Sequence, residues 1–353
     1  MSEKDTFTGA EFTGTKEVSE NLKFDQNRLQ QWMDANIQSS GKILQIEQFN
    51  GGQSNPTYKI TTDNKKLVLR RKPPGKLLPS AHAVDREYKV ISALVETNVP
   101  VPKTYSLCDD SDVVGTPFFV MDFLEGEVYW DHMLPSASNE ERIKIYQQKN
   151  KVLANLHSVD YKAVGLESYG KPGNYVARQV SRWTTQYLAS ETESIPEMDK
   201  LIEWLPQNIP NDDETSIVHG DFRLDNMIYK NHEVIGVLDW ELSTLGHPIA
   251  DFSYHCLTWR TLPAMQDLKL LKELGIPSEV EYRDMYSENT GKDLSANWEF
   301  YMVFNIFKVA AICQGILGRV RDGTASNKHA EARGMQVFPL SAGAWSTVEA
   351  NFK

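Results

Sequence analysis

Cysteine is scarce: the 353 residues hold three, Cys108, Cys256 and Cys313. They are widely spaced and fit no ligand or redox pattern, which excludes a disulfide scaffold and is what a reducing compartment permits. Basic residues fall short of acidic ones, 37 against 48, for a formal charge of −11. Neutralising phosphates takes a surplus of Lys and Arg, so neither nucleic acid nor an anionic membrane is an expected partner. Long apolar runs are missing as well. Met1–Glu20 is polar and acidic, without a stretch that would serve as a secretory signal. The most apolar segment, Tyr301–Val320, is interrupted by Asn305, Lys308, Gln314 and Arg319. A membrane span takes about 20 mainly apolar residues, so this segment reads as a buried helix and the protein as soluble and cytoplasmic. Neither G-x-x-x-x-G-K-[ST] nor G-x-G-x-x-G occurs, which removes the P-loop and Rossmann nucleotide folds.

What is present is an ordinary globular composition, 41% hydrophobic and 24% charged, enough to build a sizeable core. Residues 1–24 lack hydrophobic periodicity and read as a loosely held arm. Residues 25–125 form a first lobe. Within it, Ile43–Phe49, Thr57–Thr61 and Lys66–Arg71 are strand-like runs separated by Gly51-Gly52 and Asp63-Asn64. Val84, Tyr88, Ile91 and Val95 fall at helical spacing and predict one helix before the Pro100-Val101-Pro102 break. Two more strands follow, near Thr104–Leu107 and Phe118–Leu124. Beyond Gly126 the pattern turns helical, over Glu140–Ser158, Tyr175–Ser190, Ile249–Trp259, Met265–Leu274, Val280–Glu288 and Asn297–Arg319, with strand signals only in Ser216–Leu238. The expected fold class is α+β, a small mostly β lobe followed by a larger mostly α lobe over residues 126–353.

Polar residues concentrate in an apolar setting at Ile217–Tyr229 and Val234–Glu241, with Lys230–Glu233 as the turn between them. Pairing Tyr229 with Val234 puts Asn226 opposite Val237, with Asp239 two residues beyond. At about 3.3 Å per residue the amide and the carboxylate can share one ion. Such oxygen donors suit Mg2+, which completes its shell with phosphate oxygens. Asp221, five residues before Asn226, can then face the group that receives the phosphate. His219 reads as a core residue holding this loop. Asp251 falls in the first turn of a helix, where a carboxylate is favoured, and reads as a brace for the loop.

The run VHGDFRLDN (Val218–Asn226), followed by VIGVLDWE (Val234–Glu241) and LGHPIAD (Leu245–Asp251), resembles the aminoglycoside phosphotransferase and choline-kinase-like family of small-molecule kinases. GGQSNPTYKI, VLRRKPPGKLLPSAHAVDREYKVI and VPVPKTY resemble the branch that also occurs fused to some acyl-CoA dehydrogenases. The resemblance runs from Ile43 to the end of the chain. It implies a protein-kinase-like two-lobed fold and an ATP- and Mg2+-dependent transfer of phosphate to a hydroxyl of a small molecule. Asp221 is the implied catalytic base, and Asn226 and Asp239 are the implied metal ligands. Gly51, Gly52, Ser54 and Asn55 stand in the implied nucleotide loop, Arg70 takes the place of the usual phosphate-binding Lys, and Glu87 is its helix partner. The backbone of Asp122 and Leu124 is implied to pair with adenine. Two features depart from the family pattern: Arg70 brings a fork where Lys brings a point charge, and the glycine loop is not G-x-G-x-x-G. They keep open a nucleotide-binding pseudokinase as the alternative.

For the acceptor, Arg182, Trp183, Arg223, Trp240 and Glu241 are the candidate residues, with Tyr254 and Trp259 as further aromatic walls. The branch implies a hydroxyacyl acceptor. An antibiotic-type phosphotransferase, which would collect Asp and Glu around a polycationic drug, ranks lower.

Overall fold

The computed structural model describes residues 13–51, 55–75, 82–325 and 329–352. The first lobe runs β1 (Thr15–Lys16), α1 (Gln26–Asn36), β2 (Ile43–Phe49), β3 (Thr57–Thr62), β4 (Lys66–Arg71), α2 (Val84–Leu94), β5 (Thr104–Cys108), α3 (Ser111–Val114) and β6 (Phe118–Asp122). Its strands pair antiparallel in the order β1-β2-β3-β4-β6-β5. Alternation along β4 sorts this lobe into two faces. Leu67 and Leu69 turn to one side with Phe118 and Val120 of β6, where they meet Leu29 and Met33 of α1. Val68 turns to the other side with Phe119 and Met121, against Val84, Val90 and Ile91 of α2. The next two positions follow the same rule. Arg70 faces α2, while Arg71 faces Phe24 and Tyr58, with its guanidinium 5.2 and 5.3 Å from their rings.

Residues 1–12 of the expected arm lie outside the described residues. From Thr15 onward the arm is tied down rather than loose. β1 pairs with β2, the Thr15 hydroxyl donates to Glu47 at 2.8 Å, and Phe24 packs edge-on against Tyr58 at 5.1 Å.

The second lobe runs α4 (Asn139–Ser158), α5 (Tyr175–Ser190), α6 (Pro196–Gln207), β7 (Ser216–Val218), β8 (Met227–Lys230), β9 (Glu233–Val237), β10 (Thr244–Gly246), α7 (Pro248–Cys256), α8 (Thr258–Thr261), α9 (Pro263–Gln266), α10 (Leu268–Leu274), α11 (Glu279–Thr290), α12 (Trp298–Arg321), α13 (Ala330–Gly334) and α14 (Val337–Asn351). α4 and α11 each start on a capping box, Ser138 with Glu141 and Ser278 with Glu281. α12 is long and apolar enough to cross a membrane by length and composition. Its apolar positions are engaged inside the lobe, where it packs against α5, α7 and α14.

One lysine is enclosed by aromatic rings in this helical core. Lys149 on α4 is fully buried, and its Nζ has no hydrogen-bond partner among the described residues. It sits 4.5, 5.7 and 5.6 Å from the ring centroids of Tyr146, Trp259 and Tyr282. Burial lowers its pKa from the ordinary 10.5 to about 7. Between those values the unfolded chain holds the proton that the folded chain has released, so stability rises with pH across that window. Lys149→Met is therefore expected to stabilise the fold at pH 7 by on the order of 1–2 kcal/mol, the aromatic cage offsetting part of the penalty. The gain should shrink as pH approaches 10, which thermal unfolding of both proteins across pH 7–10 will measure.

Candidate active site between the lobes

The loop after β7 is held from below. Asp251, in the first turn of α7, accepts from the His219 N–H at 2.8 Å and the Gly220 N–H at 2.9 Å. His157 Nε2, from the end of α4, donates to the same carboxylate at 3.2 Å, and its Nδ1 meets the Tyr286 hydroxyl at 2.6 Å. Burial pushes the Asp251 carboxyl up, but the hydrogen bonds and charges of His157 and His219 outweigh it and hold it below the ordinary value. Asp251 thus braces the loop as its helix position suggested. Gly220 has φ +82°, and a Cβ there would lie 2.8 Å from the Leu242 carbonyl oxygen, so this turn admits only glycine without strain. The His219 Nε2 lies 2.9 Å from the Leu238 carbonyl, which can only accept; Nε2 therefore carries the proton and Nδ1 accepts the Asp221 N–H at 3.3 Å. That makes His219 a loop anchor.

Asp221 follows at the mouth of the cleft. Burial pushes its carboxyl up, Arg223 and His219 pull it back, and Asp239 and Asp225 add to the rise. Asn226 Nδ2 donates to the Asp221 carbonyl at 2.9 Å and to its Oδ2 at 3.3 Å. With its nitrogen turned to Asp221, the Asn226 side chain has its oxygen left for another partner.

β8 and β9 form the expected hairpin, closed at Asn231 and His232, both at positive φ. Its register differs from the expectation by one residue. Tyr229 does pair with Val234, but Ile228 pairs with Gly236, so Ile235 is bulged out and Met227 falls opposite Val237. Asn226 therefore lies beside Leu238, whose N–H donates to the Asn226 carbonyl at 2.8 Å. The bulge brings Asp239 one residue nearer to Asn226 than uninterrupted pairing would. Asp239 itself holds φ 62°, ψ 63°, a left-handed conformation that costs a non-glycine residue about 1 kcal/mol.

The first lobe reaches the same place. Arg70 Nε forms an ion pair with Glu87 Oε2 at 2.7 Å, and Arg70 Nη2 donates to Asp239 Oδ1 at 2.8 Å. Asn55 is fully buried and donates to Glu87 Oε1 at 2.8 Å, so its side chain positions Glu87 and does not face a ligand. Gly51 precedes a stretch that includes Gly52 and Ser54, which lie outside the described residues. At the connection between lobes, the Asp122 N–H already donates to the Lys103 carbonyl at 2.9 Å, and Asp122 Oδ1 accepts from Tyr105 at 2.6 Å. That amide is engaged within the first lobe, so any pairing of the Asp122 backbone with a base would fall to its carbonyl. Leu124, beyond the strand, has no backbone hydrogen bond among the described residues. Glu127 and Tyr229 exchange two backbone hydrogen bonds at 2.8 Å, and a Cβ on the adjacent Gly126 would lie 2.3 Å from the Tyr229 carbonyl oxygen.

The acceptor candidates separate. Arg223 lies against Asp225 and 3.7 Å from Asp221. Trp240 is buried, packs at a tilt against His219 with ring centroids 4.7 Å apart and donates to the Val237 carbonyl at 3.0 Å; it is packing, not a wall of an open site. Trp259 is likewise buried, its Nε1 bonded to the Pro277 carbonyl at 2.9 Å. The charge of Glu241 acts on Arg70 and Glu87, which puts it near the first-lobe side of the cleft. Arg182 is exposed and stacks on Trp183, and Trp183 lines a cavity of about 440 Å3 between α5 and α12. His157 also acts here, and its place at the end of an apolar helix carries no local sequence signal beyond packing.

The family model described as the phosphotransferase enzyme family matches residues 45–285. The chain belongs to that family. This phosphotransferase is 44% identical over 340 residues to mouse acyl-CoA dehydrogenase family member 10, covering 94% of this chain and 32% of the relative. It thus spans about a third of that relative's length. It is 46% identical, with a TM-score of 0.86, to a Ralstonia eutropha JMP134 protein provisionally described as an aminoglycoside phosphotransferase, covering 93% of this chain and 99% of the other. The fold also matches aminoglycoside phosphotransferase APH(4)-Ia in its complex with ADP and hygromycin B, at a TM-score of 0.55 and 14% identity, over 89% of this chain and 98% of the other. The two-lobed fold is therefore the protein-kinase-like one.

Proposed function

We propose that this phosphotransferase moves the γ-phosphoryl group of ATP, with Mg2+, to a hydroxyl of a hydroxyacyl acid or its CoA ester. The observation that carries the reading is the convergence of Asp221, Asn226 and Asp239 in one lobe, where Asp239 is engaged by Arg70, itself paired with Glu87, from the other. The nucleotide bound by APH(4)-Ia supports ATP as the donor, and the acyl-CoA dehydrogenase name of the mouse relative supports the acceptor class.

The donor set fits Mg2+. Asn226 offers an amide oxygen and Asp239 a carboxylate oxygen beyond the one that Arg70 engages. Among the described residues no group of three or more His, Cys, Asp and Glu side chains could hold a metal. Two protein oxygens supplemented by phosphate oxygens is the coordination this ion favours. When bound, it neutralises charge developing on the transferred group. The protein's own part is positioning. Arg70, fixed by Glu87, presents a guanidinium to the phosphates; Asp221 orients the acceptor hydroxyl and receives its proton; and the loop braced by Asp251 holds both in register.

The test is a comparison of kcat/KM with labelled ATP and Mg2+ for hydroxyhexanoates, their CoA esters and kanamycin, with Asp221→Asn as blank. Hydroxyacyl compounds are expected to react faster than kanamycin. A clear preference for kanamycin would overturn the acceptor assignment, and tight ATP binding with no transfer to any acceptor would favour the pseudokinase reading.

A further inference from the structure

α12 is fastened to α7 by Asn305, whose Nδ2 donates to the Ala250 carbonyl at 2.9 Å and to the Ser253 hydroxyl at 2.8 Å. One turn further along each helix stand Lys308 and Tyr254, with the Lys308 ammonium 4.1 Å from the Tyr254 ring centroid. α7 in turn touches the catalytic loop on both sides of this pair: Asp251 holds the His219 and Gly220 amides, and His255 Nδ1 lies 2.7 Å from the Phe222 carbonyl. Tyr254 and Lys308 therefore stand over the same loop that carries Asp221. The charges of Asp221, Arg223, Asp251 and Arg333 act on the Tyr254 hydroxyl, and those of Asp251, Asp221 and Arg182 on Lys308, though no carboxylate is within ion-pair distance of its ammonium among the described residues.

The cations around this spot differ in how they are engaged. Arg223 is matched by Asp225 and Asp221, and Arg182 is exposed on α5 against Trp183. Lys308 is half-buried and has no hydrogen-bond or ion-pair partner among the described residues beyond the Tyr254 ring; the Tyr254 hydroxyl has no hydrogen bond there either. A desolvated ammonium costs free energy unless an anion meets it. Burial lowers its pKa, and the more distant charges of Asp251 and Asp221 only partly offset this.

We propose that Lys308, with the Tyr254 hydroxyl beside it, binds an anionic group of the acceptor, a carboxylate or a phosphate, and so fixes the acceptor while its hydroxyl faces Asp221. The assignment rests on Asp221 being the carboxylate that the acceptor meets. It also accounts for a site that takes an anionic acceptor in a chain of net charge −11. A charge-assisted hydrogen bond of this kind corresponds to roughly a ten- to hundred-fold change in affinity.

The experiment is calorimetric titration of the full chain with hexanoate, hexanoyl-CoA and hexanamide, for the wild type, Lys308→Met and Lys308→Arg. ATP binding to each variant serves as the check on folding. The wild type is expected to bind hexanoate or hexanoyl-CoA, and Lys308→Met to weaken that binding about ten-fold or more. Lys308→Arg should restore part of it, and ATP affinity should be unchanged. Dependence on Lys308 for hexanoate identifies a carboxylate as the ligand, and dependence for hexanoyl-CoA alone identifies the CoA phosphates. If Lys308→Met binds the anions as well as the wild type, if hexanamide binds as tightly as hexanoate, or if neither anion binds the wild type, the proposal is wrong. Binding through Lys308 without phosphorylation of any hydroxyacyl compound would leave this site standing and remove the proposed reaction.

Discussion

Asp221→Asn is expected to lower phosphoryl transfer by about a thousand-fold or more while leaving ATP affinity within about two-fold. The substitution keeps the shape of the side chain and one acceptor oxygen. Asn226 can still donate to the backbone carbonyl of residue 221, the shorter of its two bonds there at 2.9 Å against 3.3 Å to the carboxylate. The loop therefore keeps its fold, and what disappears is the negative charge proposed to receive the hydroxyl proton. Rate and binding are measured separately, transfer from labelled ATP to the true acceptor and calorimetry with ATP and Mg2+. Near-native turnover in the variant would remove Asp221 from its role.

The second large effect is on stability. Asp251→Ala is expected to cost about 3–5 kcal/mol and to lower the midpoint of thermal unfolding substantially, because it leaves the His219 and Gly220 amides and the buried His157 without their acceptor. Asp251→Asn, which keeps one acceptor oxygen, should cost less and should change the acid response. The wild-type carboxyl is held below its ordinary value of 3.8. Its contribution is thus fully present above that value and is lost as pH falls through the lower folded value. The Asn variant should lack this part of the acid limb, so the gap between the two proteins narrows on acidification. Parallel acid limbs for both proteins would contradict this account of the brace.

The candidate site residues of the second lobe were legible because their spacing is local. Asp221, Asn226 and Asp239 lie within one loop and hairpin, and a turn at Asn231-His232 can be read from short range. The shift in register could not be, since nothing in the run Val234–Val237 marks Ile235 as the bulged residue. Arg70 and Glu87 were paired by the family resemblance, and the structure shows strand and helix each putting one of the two charges on the shared apolar face. The double engagement of Arg70 with Asp239 depends on how the lobes meet, which no local pattern encodes. Helices with breakers inside escaped as well: α6 contains Pro206, and α14 contains Pro339 and Gly343. α1 buries only Leu29 and Met33, too few to make a stripe among its polar neighbours. Lys308 looked like an interruption in an apolar run, and its meaning comes from Tyr254 on another helix.

The paired backbone bonds between Glu127 and Tyr229 bear on how the chain can change in length. They join the connection between the lobes to β8, only three residues from Asn226, and Gly126 leaves no space for slack at the joint. One residue inserted between 124 and 127 would force a choice between breaking those bonds and drawing β8, with Asn226 at its head, out of line with Asp239. At Asn231-His232, on the far end of the same hairpin, added residues would at most disturb the surface bonds of the turn to Lys144 and Glu141 of α4, while closure entropy rises only slowly with loop length. The same ribbon thus has one end closed to insertion and one end open to it.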